Sequence, residues 1–339
     1  MKKRIASMIL AGAMLTTLTA CGGGGTDAGS GTAGGGSGVD KDQLNVRVIL
    51  KTTASEHWQL MQAGCEKFDA EHDDVTFEIT GPASETSYDD QQNMIETSLA
   101  NKDIDAFIIA PLQSDVAANL IKGETRPVFT MDTDIDAPEV LSFIGTGNEN
   151  AAKKGAAMAV EAAKEAGWEK IECIEVAGVQ GDATNTARMK GFTAGVEENG
   201  GDFLEDEVQY ANALPDQAVT CMEAVLQTRP EGVAIICANN DDMAVAAARA
   251  AAESGNEAYK KTIFLGFDGS SGACQSIIDG QLTMSIAQQP FDMGYMACEA
   301  AYKTLMGEKV DEFIDSGIEV ITPDNAQDRI DRVHEWLGR

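Results

Sequence analysis

Residues 233–253 read VAIICANNDDMAVAAARAAAE: an apolar, β-branched run from Val233 to Cys237, a polar junction from Asn239 to Asp242, and a helical run from Asp241 to Glu253. A buried strand that ends in polar residues and feeds a helix is one repeat of an α/β fold. From Leu44 onward the chain keeps this layout. Strands are expected at 44–50, 76–80, 106–110, 128–131 and 141–144, and in a second series at 171–176, 203–209, 233–237, 262–267 and 282–287. Helical runs between them include 58–69, 149–166, 216–227, 241–253 and 293–305. Ten strands in two series predict two doubly wound domains. Ligands of open α/β sheets bind at the carboxyl ends of strands, and those positions are strongly polar here. They read KTTAS at 51–55, PLQSD at 111–115, DTD at 132–134, NNDD at 239–242, DGS at 268–270 and QQP at 288–290. Helix capping accounts for part of this pattern, but not for Asp132, Asn240 and Gln288 together.

The 339 residues carry 25 basic and 55 acidic side chains, a formal charge of −30. Such a field repels phosphate polymers, so a nucleic-acid partner is excluded. At the N-terminus, Lys2, Lys3 and Arg4 precede the 16-residue apolar stretch Ile5 to Ala20, which is too short to span a bilayer and has the form of an export signal. It ends in Leu18-Thr19-Ala20-Cys21, which resembles a bacterial lipobox with Cys21 as the lipidated residue. Loss of residues 1–20 takes the formal charge to −33. The Gly/Ser-rich stretch that follows, within 21–43, has the composition of a flexible tether. The other six cysteines, at 65, 173, 221, 237, 274 and 298, have no CxxC spacing and are read as buried small hydrophobes.

The segments ANNDDMA at 238–244, LGFDG at 265–269 and SIAQQP at 285–290 closely resemble the type I periplasmic sugar-binding proteins of the ribose and galactose kind. The likeness extends upstream through PVFTMD at 127–132, APLQSD at 110–115 and RMKGF at 188–192. It implies the type I periplasmic binding protein fold, two Rossmann-like doubly wound lobes joined by three crossings. One lobe would take 44–146 plus 289–317, the other 147–288 plus 318–339. Together with the lipobox at 18–21, it implies an extracytoplasmic lipoprotein, lipid-anchored at the cell membrane and expected to be monomeric. Such a protein captures a small polar solute, a carbohydrate first, by lobe closure and delivers it to the transmembrane subunits of an ABC permease. The alternative is a sensor lipoprotein for a nucleoside, polyol or amino sugar that feeds a signalling receptor.

By motif, the family's polar contacts fall on Asp132, Asn240, Asp268 and Gln288, and its first-loop aromatic pair on His57 and Trp58. Carboxylates and amides beside a flat ring suit a sugar, which offers hydroxyls around an apolar face. Trp58 is read as a ligand platform, with a core role as the other reading; for His57 a ligand contact and a helix-start residue both stand. Where the family often carries arginines, this chain has Thr133 and Thr186, and an expected aromatic gives way to Asn212 or Ala213. These departures point to a larger pocket or to a ligand that brings its own donors. Arg188 is read as an anchor of the structure or of the pocket rim rather than as the contact position.

No cofactor or metal is expected. The run from Asp132 starts like a calcium loop but has Ala137 and Phe143 where Gly and Glu are required. Gly145-Thr146-Gly147 lacks the third glycine of a dinucleotide fingerprint. With three histidines and no nucleophile elbow, phosphate loop or zinc motif, an enzyme is not expected.

Overall fold

The computed structural model describes residues 43–339. The expected leader, Cys21 and most of the tether lie outside them.

The first sheet holds β1 (Leu44–Ile49), β2 (Val75–Thr80), β3 (Ala106–Ile109), β4 (Val128–Met131), β5 (Val140–Gly145) and β12 (Phe313–Asp315). Its order is β12-β5-β4-β3-β1-β2, parallel throughout. The second holds β6 (Glu172–Ala177), β7 (Asp202–Phe203), β8 (Gln209–Tyr210), β9 (Ile235–Ala238), β10 (Ile263–Asp268), β11 (Met284–Gln288) and β13 (Ile318–Ile321). Here β13-β11-β10-β9-β6-β7 repeats the arrangement of the first sheet, closed by an antiparallel β13. Both are doubly wound sheets with the strand reversal that creates a ligand crevice. The chain passes between them after β5, after β11 and after β12. The central strands β3, β4, β9 and β11 are buried along their whole length, as strands covered on both faces must be.

The helices are α1 (Glu56–Asp69), α2 (Tyr88–Ala100), α3 (Ser114–Ile121), α4 (Asn148–Glu165), α5 (Ala183–Glu198), α6 (Pro215–Thr228), α7 (Asp241–Glu253), α8 (Ser271–Ile278), α9 (Pro290–Leu305) and α10 (Ala326–Leu337). Apolar clusters lie between these helices and the sheets. Val48, Met61, Phe129 and Met293 belong to one in the first lobe, and Cys173, Phe192, Leu265 and Ile286 to one in the second.

Two expectations need correction. Thirteen strands are present among the described residues, not ten: β12 and β13 have three and four residues, too short to show a hydrophobic period. The strand expected at 203–209 is instead an edge broken by a turn at Glu205–Glu207, with β7 and β8 both pairing with β6. Three consecutive acids there favour a solvated turn. Five of the six cysteines are buried and all six are unbridged, while Cys221 is half-buried.

Candidate functional site

A cavity of about 180 Å³ opens at the carboxyl ends of both sheets. That is below the roughly 300–1,000 Å³ of pockets for drug-sized ligands, so it fits one small solute. Strand ends supply most of its wall. Lys51 follows β1, Asp132 follows β4, Gly178 follows β6 and Asn240 follows β9, while Asp268 and Gln288 end β10 and β11.

Asp132 has φ 66° and Asp268 φ 125°, and the only other non-glycine residues in this region among those described are Asn212 and Ala213. Backbone strain of this kind costs of order 1–3 kcal/mol per residue and gathers where geometry is held for a ligand. Three of the four, Asp132, Asp268 and Ala213, line the cavity.

On the first lobe, His57 Nε2 lies 2.9 Å from Asp132 Oδ1, and Lys51 Nζ sits 3.8 Å from both Asp132 and Asp182. Burial by itself would raise the Asp132 carboxyl, but the His57 hydrogen bond and the Lys51 charge outweigh it and hold the group well below the usual carboxylate range. Burial would likewise lower His57, yet its bond to Asp132 and the charge of Asp268 leave its pKa raised. Trp58 lines the cavity and is 3% exposed, its Nε1 donating to Glu85 Oε1 at 2.7 Å. The ring is thus both core and wall, so the two readings of Trp58 meet in one position.

On the second lobe, Gln288 Nε2 donates to Asp268 Oδ1 at 2.7 Å, and Gln288 Oε1 accepts from Thr146 at 2.9 Å. Asn240 caps α7, its Oδ1 accepting from Met243 N at 2.9 Å, so its amide nitrogen is the group left for a ligand. Beneath Asp268, the Arg188 guanidinium stacks 3.7 Å over Phe267, donates to Asn148 Oδ1 and the Asn239 carbonyl, and comes within 3.6 Å of Asp268.

Two of the residues expected in the site fall elsewhere. Thr186 is exposed, its hydroxyl donating to the Asp182 carbonyl at 2.8 Å, and it does not line the cavity. Thr184 lines it instead. Thr133 is buried behind the wall, bonded to Asp132 Oδ2 and 3.2 Å from Thr184 Oγ1 across the cleft. Arg188, read as an anchor of the structure or the pocket rim, is 5% exposed and lines the cavity.

Sequence reading also passed over Lys51, Asp182, Asp241 and Arg329. Lys51 and Asp241 sit within the quoted polar junctions, so the strand-end rule already pointed to them. Asp241 accepts from Ser285 Oγ at 2.6 Å and from Ser270 N at 2.7 Å. Burial first, then the neighbouring Asp268 charge, push its pKa up to about 7. No local signal marks Arg329, which reaches from α10 to the carbonyls of Gly269 and Gln288 and so fixes the two loops that bear Asp268 and Gln288.

Two doubly wound lobes with a small polar cavity at their strand ends define a two-lobed solute-binding protein. The chain belongs to the periplasmic binding protein domain family, whose model matches residues 46–309. That family consists of substrate-binding proteins, not enzymes. The ribose import binding protein RbsB of Bacillus subtilis (strain 168) is 26% identical over 84% of this chain and 88% of its own. The D-allose-binding periplasmic protein of Escherichia coli (strain K12) is 29% identical over 73% of this chain and 80% of its own. Among solved structures, an ABC transporter solute-binding protein from Agrobacterium vitis with bound D-fucose superposes with a TM-score of 0.74 at 26% identity, covering 83% of this chain and 96% of that one.

Proposed function

We propose that this chain captures a small polar solute, a carbohydrate first, between its two lobes and delivers it to an ABC permease. The observation that carries the reading is the convergence of Asp132, Asn240, Asp268 and Gln288 on one solute-sized cavity with Trp58 in its wall. Carboxylates and amides match a ring of hydroxyls, and an indole matches the apolar face of the sugar. Relatives named for ribose and allose, and a structural neighbour holding D-fucose, support the same class. A ligand that touches both lobes binds the closed form better than the open one, and that difference in affinity drives closure.

The lobes are assigned as 44–146 with 289–317 and 147–288 with 318–339. The mature chain is held at the outer face of the cell membrane through lipid on Cys21. No helix among the described residues is long and apolar enough to cross a membrane. Cys21→Ala is expected to move the protein from the membrane fraction to the soluble one. Continued sedimentation with membranes would remove the anchor from the reading.

The first test is a thermal-shift screen of the full chain, unfolded and refolded to strip bound solute, against sugars, polyols, nucleosides and amino acids. A ligand at 100 times its Kd adds about 2.7 kcal/mol of stability. A sugar is expected to raise the Tm; stabilisation by nucleosides or amino acids alone would overturn the carbohydrate class.

A further inference from the structure

Seven carboxylates line the cavity against two permanently charged cations, Lys51 and Arg188. Both cations are already engaged. Lys51 lies between Asp132 and Asp182, and Arg188 lies under Asp268. His57, the remaining basic group of the lining, is bound to Asp132.

That leaves Glu56 and Glu85 from the first lobe and Asp241 and Asp242 from the second without a cationic partner; Asp241 is already satisfied by Ser285 and Ser270, and burial favours its neutral form. Glu56 accepts from Ser271 and Glu85 from Trp58. The Asp242 side chain has no hydrogen-bond or ion-pair partner among the described residues, and it is exposed into the cleft. Desolvation by the cleft walls, together with the charges of Asp268, Glu56 and Glu85, raises its pKa, and all four acids line the one cavity.

Closure expels water, and carboxylates from facing lobes then repel in a medium of lower dielectric. A neutral sugar supplies hydroxyl donors but no charge to offset this. An ammonium group does both, through charge-assisted bonds about twice as strong as neutral ones. The wall that carries Asp132, Asn240, Asp268 and Gln288 still asks for hydroxyls. One molecule with both features answers both walls.

We propose that the solute of this cleft carries a protonated amine beside its hydroxyls, an amino sugar or amino polyol, with the amine held by Glu56, Glu85 and Asp242. The inference rests on the carbohydrate reading above and narrows it.

The test is titration calorimetry of the refolded full chain, at slightly acidic pH, with glucosamine, galactosamine and mannosamine, each beside its neutral parent and its N-acetyl derivative. At least one amine is expected to bind about ten-fold or more tightly than both of its counterparts, the equivalent of one charge-assisted bond. Its affinity is expected to weaken with added salt, as a screened charge pair requires. Asp242→Asn is expected to cut the amine-to-parent affinity ratio about five-fold, with a Tm at or above that of the wild type because a repelling charge is gone. Parents that bind as tightly as the amines, or a ratio unmoved by Asp242→Asn, would overturn the amine and leave the carbohydrate reading intact. Binding by no member of the panel, with stabilisation by an amino acid or nucleoside instead, would overturn both.

Discussion

Asp268 is held by Gln288 and by Arg188, whose guanidinium is itself stacked and hydrogen-bonded. Truncating it removes a charged acceptor and strands the Arg188 charge in a buried site. Asp268→Ala is therefore expected to cost about 1.5–3 kcal/mol of ligand affinity, ten- to a hundred-fold by titration calorimetry. Thr186→Ala, whose hydroxyl faces solvent and its own helix, is expected to change affinity by less than two-fold. Equal effects from the two variants would dissolve this assignment. A second consequence concerns pH. Asp241 and the Glu175 carboxyl beneath Asn239 are both pushed up to about 7, chiefly by burial. An acid with a raised folded-state pKa keeps its proton longer in the folded chain, so stability falls as pH climbs from the unfolded value of about 4 towards 7. His57, also raised, adds stability that is full below its unfolded pKa near 6.5 and fades as pH rises through the folded value. Asp132, held low, matters only on acidification below about 4, where protonation removes its contribution. The ligand-free Tm is thus expected to decline from pH 5 to pH 8, with a shallower slope in Asp241→Asn. A flat profile would refute the buried-proton account.

Between elements, glycines set how closely helices meet. A Cβ at Gly191 of α5 would stand 2.2 Å from the Glu149 carbonyl of α4, and one at Gly195 2.4 Å from the Lys153 carbonyl. Gly64 of α1 and Gly294 of α9 play the same part in the other lobe, 2.0 Å and 2.1 Å from facing carbonyls. Gly191→Ala forces α4 and α5 apart and is expected to destabilise the fold by about 1–3 kcal/mol, read as a lower urea midpoint. An unchanged midpoint would show that the pair relaxes freely. The elements that the sequence reveals are those with a hydrophobic period long enough to register. Fully apolar β3 and β9 stand out between polar ends, whereas β12 and β13 are short edge strands whose pairing comes from tertiary contact. The site divides in the same way. Asp132, Asn240, Asp268 and Gln288 sit at strand ends, where topology alone aims a residue at the crevice. Residues on α5 follow the helical period, and there the reading of Thr186 fails: two residues from Arg188 is about 200° around the helix, while Thr184, four away, shares its face. Arg329 acts from an element 41 residues beyond Gln288, and only the folded chain brings the two together.

For the whole molecule, closure is assisted by contacts that need no solute. Ser271 N donates to Glu56 Oε1 at 2.7 Å and the Ser271 hydroxyl to Glu56 Oε2, Lys51 faces Asp182 at 3.8 Å, and Thr133 meets Thr184 at 3.2 Å. Each joins the first lobe to the second. Apparent affinity equals intrinsic affinity scaled by the fraction of chains in the binding-competent closed state, so these contacts act on every solute alike. Ser271 itself lies outside the cavity lining, and in a Ser271→Ala variant its main-chain N–H still holds the lining residue Glu56 in place. Ser271→Ala removes one bond to a carboxylate and is expected to weaken all ligands by a common factor of about five- to ten-fold, near 1–1.5 kcal/mol. Small-angle scattering of the ligand-free protein is expected to show a larger radius of gyration in the variant, and saturating ligand is expected to restore the wild-type value. A change that differs from one ligand to the next would place Ser271 in recognition rather than closure. A common factor with no change in dimensions would mean that the closed population is set by the hinge segments after β5, β11 and β12 and not by contacts across the cleft.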